Sequence, residues 1–214
     1  VRRWLIVVLC LGMVAAIAAP AAGARILPRD AKPMGMSLRL WTVTYLRAAL
    51  QRPAGAGNAL FVRSNGKCGS AFGKVWFLPD AAPPDELVTH CVIPRGKLLF
   101  VPGAYLAGPA FRGVGENGIA PNSRHLIEAS RIWIDGRLAG SGHYLRTPVF
   151  DAVLPLHNSV GAPPGLWNSL ADGYFAILSP LSPGEHTVVQ NAHYAAAFGE
   201  PAASSSFTYH LTVR

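Results

Sequence analysis

Glycine and proline interrupt this sequence so often that a long helix has nowhere to run: 22 glycines and 18 prolines make 40 of its 214 residues. Proline removes a backbone donor and glycine offers no side chain to pack, so both end or weaken helices. Long helices and coiled coils are excluded. One window escapes, 37–52, where Ser37 stands at an N-cap position. Leu38, Trp41, Tyr45 and Ala49 follow at helical spacing, and Pro53 and Gly55 supply the stop. The spacing predicts one helix there. Everywhere else short apolar or β-branched runs lie between turn residues, with strands expected at 75–78, 87–93, 97–101, 126–134, 174–178, 186–190 and 207–213. The last is the most regular, since Phe207, Tyr209, Leu211 and Val213 alternate with Thr208, His210 and Thr212. Asp135-Gly136 and Pro183-Gly184 supply turn chemistry beside strands. The expected fold is all-β: a two-sheet antiparallel sandwich, immunoglobulin-like or jelly-roll, with one short N-terminal helix.

The first 24 residues read as an export signal. Arg2 and Arg3 precede an apolar stretch from Leu5 to Ala19, and Ala22-Gly23-Ala24 supplies small residues before a cut after Ala24. That stretch is shorter than the roughly 20 residues a bilayer span needs, so no membrane span is expected in the mature chain. Residues 25–36, with Pro28, Pro33 and Gly35, read as a flexible or loosely docked lead-in. A single domain is expected over 37–214, secreted or periplasmic.

Charged residues are only 14% of the chain, against roughly 25% in an average soluble protein. The net charge of +8 comes from single basic residues and never from a run, so it reads as solvated surface and no nucleic-acid partner is expected. Only Cys68 and Cys91 lie beyond the signal, and an oxidising compartment favours their pairing.

The runs 73–78 (Gly-Lys-Val-Trp-Phe-Leu) and 91–102 (Cys-Val-Ile-Pro-Arg-Gly-Lys-Leu-Leu-Phe-Val-Pro) resemble a group of uncharacterised secreted bacterial proteins. The likeness recurs at Asp172-Gly173-Tyr174-Phe175 and at the late Pro183-Gly184-Glu185-His186-Thr187 hairpin. The resemblance implies one domain and a Cys68–Cys91 pair; it brings no activity and no catalytic residue.

Chemistry is sparsely marked. Gly113-Val114-Gly115-Glu116-Asn117-Gly118 fits the dinucleotide pattern in letters, but no strand precedes it and Pro121 stands where a helix should follow. No P-loop, His-Glu-x-x-His or Gly-x-Ser-x-Gly is present. No metal and no cofactor are expected. His125 with Glu128, and Glu185 with His186, read as strand and turn positions. Two segments of about twenty residues, 103–123 and 151–172, read as strand-free loops, and loops of that length are commonly functional. They hold the candidate ligand-binding residues Glu116, Asp151, His157, Trp167 and Asp172. Gathered at one end of a sandwich, these would form a polar, aromatic-walled pocket suited to carbohydrate. Two functions follow: a non-catalytic exported module that binds a ligand or partner, or a secreted hydrolase, carbohydrate-active, using the loop carboxylates.

Overall fold

The computed structural model describes residues 23–54, 58, 60, 68–80, 86–110, 123–196 and 202–214; the expected signal, save its last two residues, lies outside the described residues. Among the described residues the chain forms α1 (Leu38–Leu50), β1 (Ser70–Phe72), β2 (Val75–Phe77), β3 (Glu86–Ile93) and β4 (Leu98–Ala110). A one-turn helix α2 (Ser123–Leu126) leads into β5 (Ile127–Ile134), β6 (Arg137–Gly140), β7 (His143–Arg146) and β8 (Phe150–Leu154). The chain ends with β9 (Gly165–Leu178), β10 (Gly184–Tyr194) and β11 (Ala203–Val213). α1 is the helix the sequence predicts, and its Ser37 side chain accepts from the Leu40 N–H at 3.4 Å.

The strands make two packed sheets. One has six strands, in the order β1-β2-β4-β9-β7 with β8 also on β9; the other has five, β3-β11-β10-β5-β6. Side-chain alternation assigns each face of the six-stranded sheet its own core. Phe77, Phe100, Phe175 and Ile177 point to α1 and meet Trp41, Tyr45, Leu46 and Ala49. Leu99, Val101, Ala176 and Leu178 point the other way, to Ile132, Ile134, Val188, Tyr209 and Leu211 of the five-stranded sheet. Tyr45 stacks on Phe100 with centroids 5.0 Å apart and meets Phe77 edge-on at 5.5 Å. Burying each such ring is worth about 1.5–3 kcal/mol.

Two expectations are corrected. The sheets are mixed, because β2 pairs parallel with β4 and β3 parallel with β11. The cause of the first is visible in the chain: β3 lies in the opposite sheet, so the path leaves after β2 and re-enters at β4 in the same direction. The segments 103–123 and 151–172 are not strand-free. β4 runs on to Ala110, and β8 and β9 occupy most of the second segment. β2 covers only Leu98–Phe100 of β4, so Pro102 and Pro109 fall where, among the described strands, β4 bonds on one side to β9 alone. The lead-in is docked at its start. Leu27 donates its N–H to the Ile177 carbonyl at 2.7 Å, Ser179 donates to the Arg25 carbonyl at 2.8 Å, and His143 Nε2 lies 2.7 Å from the Leu27 carbonyl oxygen.

Cys68, just before β1, is disulfide-bonded to Cys91 on β3, with Cα atoms 5.1 Å apart. The bond joins the β1 edge of one sheet to the β3 edge of the other. No helix among the described residues is long and apolar enough to cross a membrane.

Candidate functional site

The structure disperses the residues singled out in the sequence. Glu116 lies outside the described residues. Asp151 is exposed on β8, and its main-chain carbonyl accepts from Arg47 Nε at 3.0 Å. His157 is exposed in the turn after β8 with φ +59°, its carbonyl accepting from the Ala54 N–H. That turn is organised by buried Asn158, whose amide donates to Pro155 and Ala162 and accepts from the N–H groups of Val160 and Ala162. Trp167 packs on the α1 side of its sheet and donates Nε1–H to the Pro163 carbonyl at 2.8 Å. Asp172 is buried within β9, on the face toward the five-stranded sheet, and pairs with Arg146 at 3.3 Å. Asp151 sits opposite Asn168, four residues from Asp172 on β9. Four residues are about 13 Å of strand, wider than the roughly 5–9 Å across which two carboxylates cleave a glycosidic bond.

A different polar group assembles where β4 bulges. Pro102 pairs with Phe175 and Tyr105 with Gly173, so Gly103 and Ala104 together stand against Tyr174, one residue more than β9 supplies. A Cβ on Gly103 would overlap the Tyr174 carbonyl, and one on Gly173 would overlap the Ala104 carbonyl; only glycine fits at either place. Bulges turn side chains. Here Tyr105 donates its hydroxyl to Asp80 Oδ2 at 2.5 Å. Asp80 is 7% exposed, just beyond β2, and its N–H is held by the Leu60 carbonyl at 3.0 Å. Tyr45 from α1, Tyr194 from β10 and Tyr209 from β11 complete the group. Burial, first, and the Asp80 charge, second, push all four phenols above their ordinary range. For Tyr194, the Tyr105 main chain acts the other way.

The adjoining inner face of the five-stranded sheet is polar too. Ser130, Ala192 and Ser205 form one rung across β5, β10 and β11, and Gln190 lies one inner position along β10. Gln190 is 0% exposed, and among the described residues neither its amide nitrogen nor its amide oxygen has a hydrogen-bond partner; the Ser130 hydroxyl has none there either. Sequence reasoning missed this group because Asp80 follows Leu78-Pro79 and reads as a turn, while Tyr105 and Gln190 carry no motif. Nothing local signals that they meet.

A Ser-His-Asp arrangement lies elsewhere, at the turn end of β10. His186 Nδ1 is 2.8 Å from Asp135 Oδ2, and Nε2 is 3.2 Å from Ser182 Oγ. Nε2 is closer, 2.9 Å, to the Ser182 carbonyl, which can only accept. Nε2 therefore faces the carbonyl more closely than the serine hydroxyl, and the ring bridges Asp135 and the Ser182 main chain. It clamps the turn before β10 to the β5–β6 turn, where Asp135 Oδ1 also accepts the Thr187 N–H at 2.8 Å. Burial raises the Asp135 pKa, but the hydrogen bonds from His186 and Thr187 and the charge of His186 outweigh it and hold the carboxyl below its ordinary value.

No family model and no curated protein matches the sequence. Two solved structures are similar in part. One, described as PbICP-C in complex with falcipain-2, is 12% identical and covers 66% of this chain and 100% of its own, with a TM-score of 0.28. The other, the solution structure of Amebosin, is 15% identical and covers 60% and 96%, with a TM-score of 0.22. Scores this low bear on neither the architecture nor the role of the chain.

Proposed function

We propose that this protein is an exported, non-catalytic β-sandwich module that binds a ligand or partner at the cell envelope or outside the cell, through the polar end of the layer between its sheets. The observation that carries the reading is Gln190, fully buried with both ends of its amide unpartnered among the described residues. Such a group costs about 1–3 kcal/mol, and an apolar residue would pack there at no such cost. Asp80 under its ring of tyrosines adds a buried carboxylate, which folding alone rarely rewards. An amide offering donor and acceptor side by side, with Ser130 and Ser205 on the next inner rung, suits a neutral hydroxylated ligand, carbohydrate being the obvious class. The disulfide and the signal-like leader support export. For the hydrolase alternative, the separation of Asp151 and Asp172 along β9 offers no acid–base pair.

The test is thermal unfolding of the protein with a panel of mono- and disaccharides. A saturable rise in Tm is expected, absent in Gln190→Met even though that variant folds. A panel that leaves wild-type Tm unmoved, or shifts both proteins alike, removes the polar end as the site.

A further inference from the structure

The outer face of the five-stranded sheet carries a second feature, independent of the polar end. β3 and β11 run parallel with His90 directly beside His210, and the two imidazole rings are stacked, centroids 4.6 Å apart and planes 17° from parallel. Both lie on the side away from the core, because Thr89, Cys91, Tyr209 and Leu211 point inward. Val88 and Val92 beside His90 are exposed, so the pair stands in the open. Glu185 shares this face. Its Oε2 accepts the Thr212 hydroxyl at 3.0 Å, and Thr212 is two residues from His210.

We infer that His90 and His210 form a chelating pair for a divalent transition cation, Cu²⁺, Zn²⁺ or Ni²⁺, on this face. Imidazole nitrogen selects these ions over Mg²⁺ and Ca²⁺, which prefer oxygen. Two nitrogens bound to one tetrahedral ion at about 2.0–2.1 Å stand about 3.3 Å apart. His90 and His210 are paired across adjacent strands, so turning the two stacked rings about their side-chain torsions, out of the stack, directs one nitrogen of each at a common ion while the backbone stays in place. Among the described residues no third His, Cys, Asp or Glu joins the pair, so water fills the remaining positions. An ion held this way keeps open positions that a donor from a partner can fill.

The experiment is calorimetric titration of tag-free protein with CuCl₂, NiCl₂, ZnCl₂ and MgCl₂. One cation per chain is expected, Cu²⁺ tightest and Mg²⁺ not bound, in the Irving–Williams order. His90→Ala and His210→Ala should each weaken binding at least tenfold. His157→Ala and His193→Ala, exposed histidines elsewhere, should leave it unchanged. Circular dichroism verifies that each variant folds. In NMR spectra the ring signals of both His90 and His210 should shift or broaden together on adding Zn²⁺. No saturable binding, binding that survives both substitutions, or dependence on only one of the two histidines would overturn the inference.

Discussion

The two ends of the layer between the sheets are built on the same strands and filled in opposite ways. Toward the disulfide, Leu99, Val101, Ile134, Val188, Leu211 and Val213 close against one another with Cys68 and Cys91 among them. Beyond Val188 on β10 and Phe207 on β11, the inward positions become Gln190, Ala192 and Ser205, and the facing strand breaks its ladder at Gly103 and Ala104. The apolar end shows that this architecture needs no polar filling to be stable. On the proposed function the polar end serves binding rather than stability, and the contrast can be tested by exchanging the properties of the two.

The largest effect is expected at the apolar end. Leu211→Ala removes a fully buried side chain and should cost about 2–5 kcal/mol in urea unfolding; a loss below 1 kcal/mol would mean that this end is not the mechanical core. Next comes Tyr105→Phe, which deletes the donor to Asp80 and should cost about 1.5–3 kcal/mol, the range for a bond to a charged group. Gln190→Met keeps the length of the side chain and removes both unpartnered atoms. It should raise stability by about 1–3 kcal/mol in the absence of ligand, and a loss instead would erase the difference between the ends. The smallest effect belongs to the outer clamp. The folded-state pKa of Asp135 is depressed, so its contribution is present above the ordinary carboxylate pKa and is lost as pH falls through the lowered value. Asp135 is about half exposed, so solvent screening keeps this below about 1 kcal/mol. Comparing wild type and Asp135→Asn from pH 6 to pH 2 should show the gap between them closing toward the acid end.

Much of the fold was legible in local pattern. Ser37 and the spacing of Trp41, Tyr45 and Ala49 located α1, and the strict alternation from Phe207 onward located β11. The pattern failed where a strand's need for hydrogen bonds depends on a distant neighbour. Pro102, Gly103 and Pro109 look like loop residues, yet β4 tolerates them because β2 stops at Phe77 and leaves that edge of the strand uncovered by it. The candidate site was less legible for a related reason. Alternation gives the face a residue occupies, not its partner: Asp151 and Trp167 fall on adjacent rungs but opposite faces. Asp80 and Tyr105 meet across 25 residues with nothing in either segment to announce it.

The parallel pairing of β3 with β11 also sets an order of assembly. Every rung of that ladder joins residues 120 positions apart, from Glu86 with Ser206 to Ile93 with Val213. β11 is an inner strand, and β3 touches its sheet only through it. Until β11 is in place, β3 can be tethered to the rest by its disulfide and its turns but has, among the described strands, no ladder of its own. Pairing across so long a stretch is slow, and a waiting strand with an open edge invites the wrong neighbour. A Cys68–Cys91 bond closed within that interval would hold β3 near its C-terminal end beside β1, so its value would lie as much in timing as in strength.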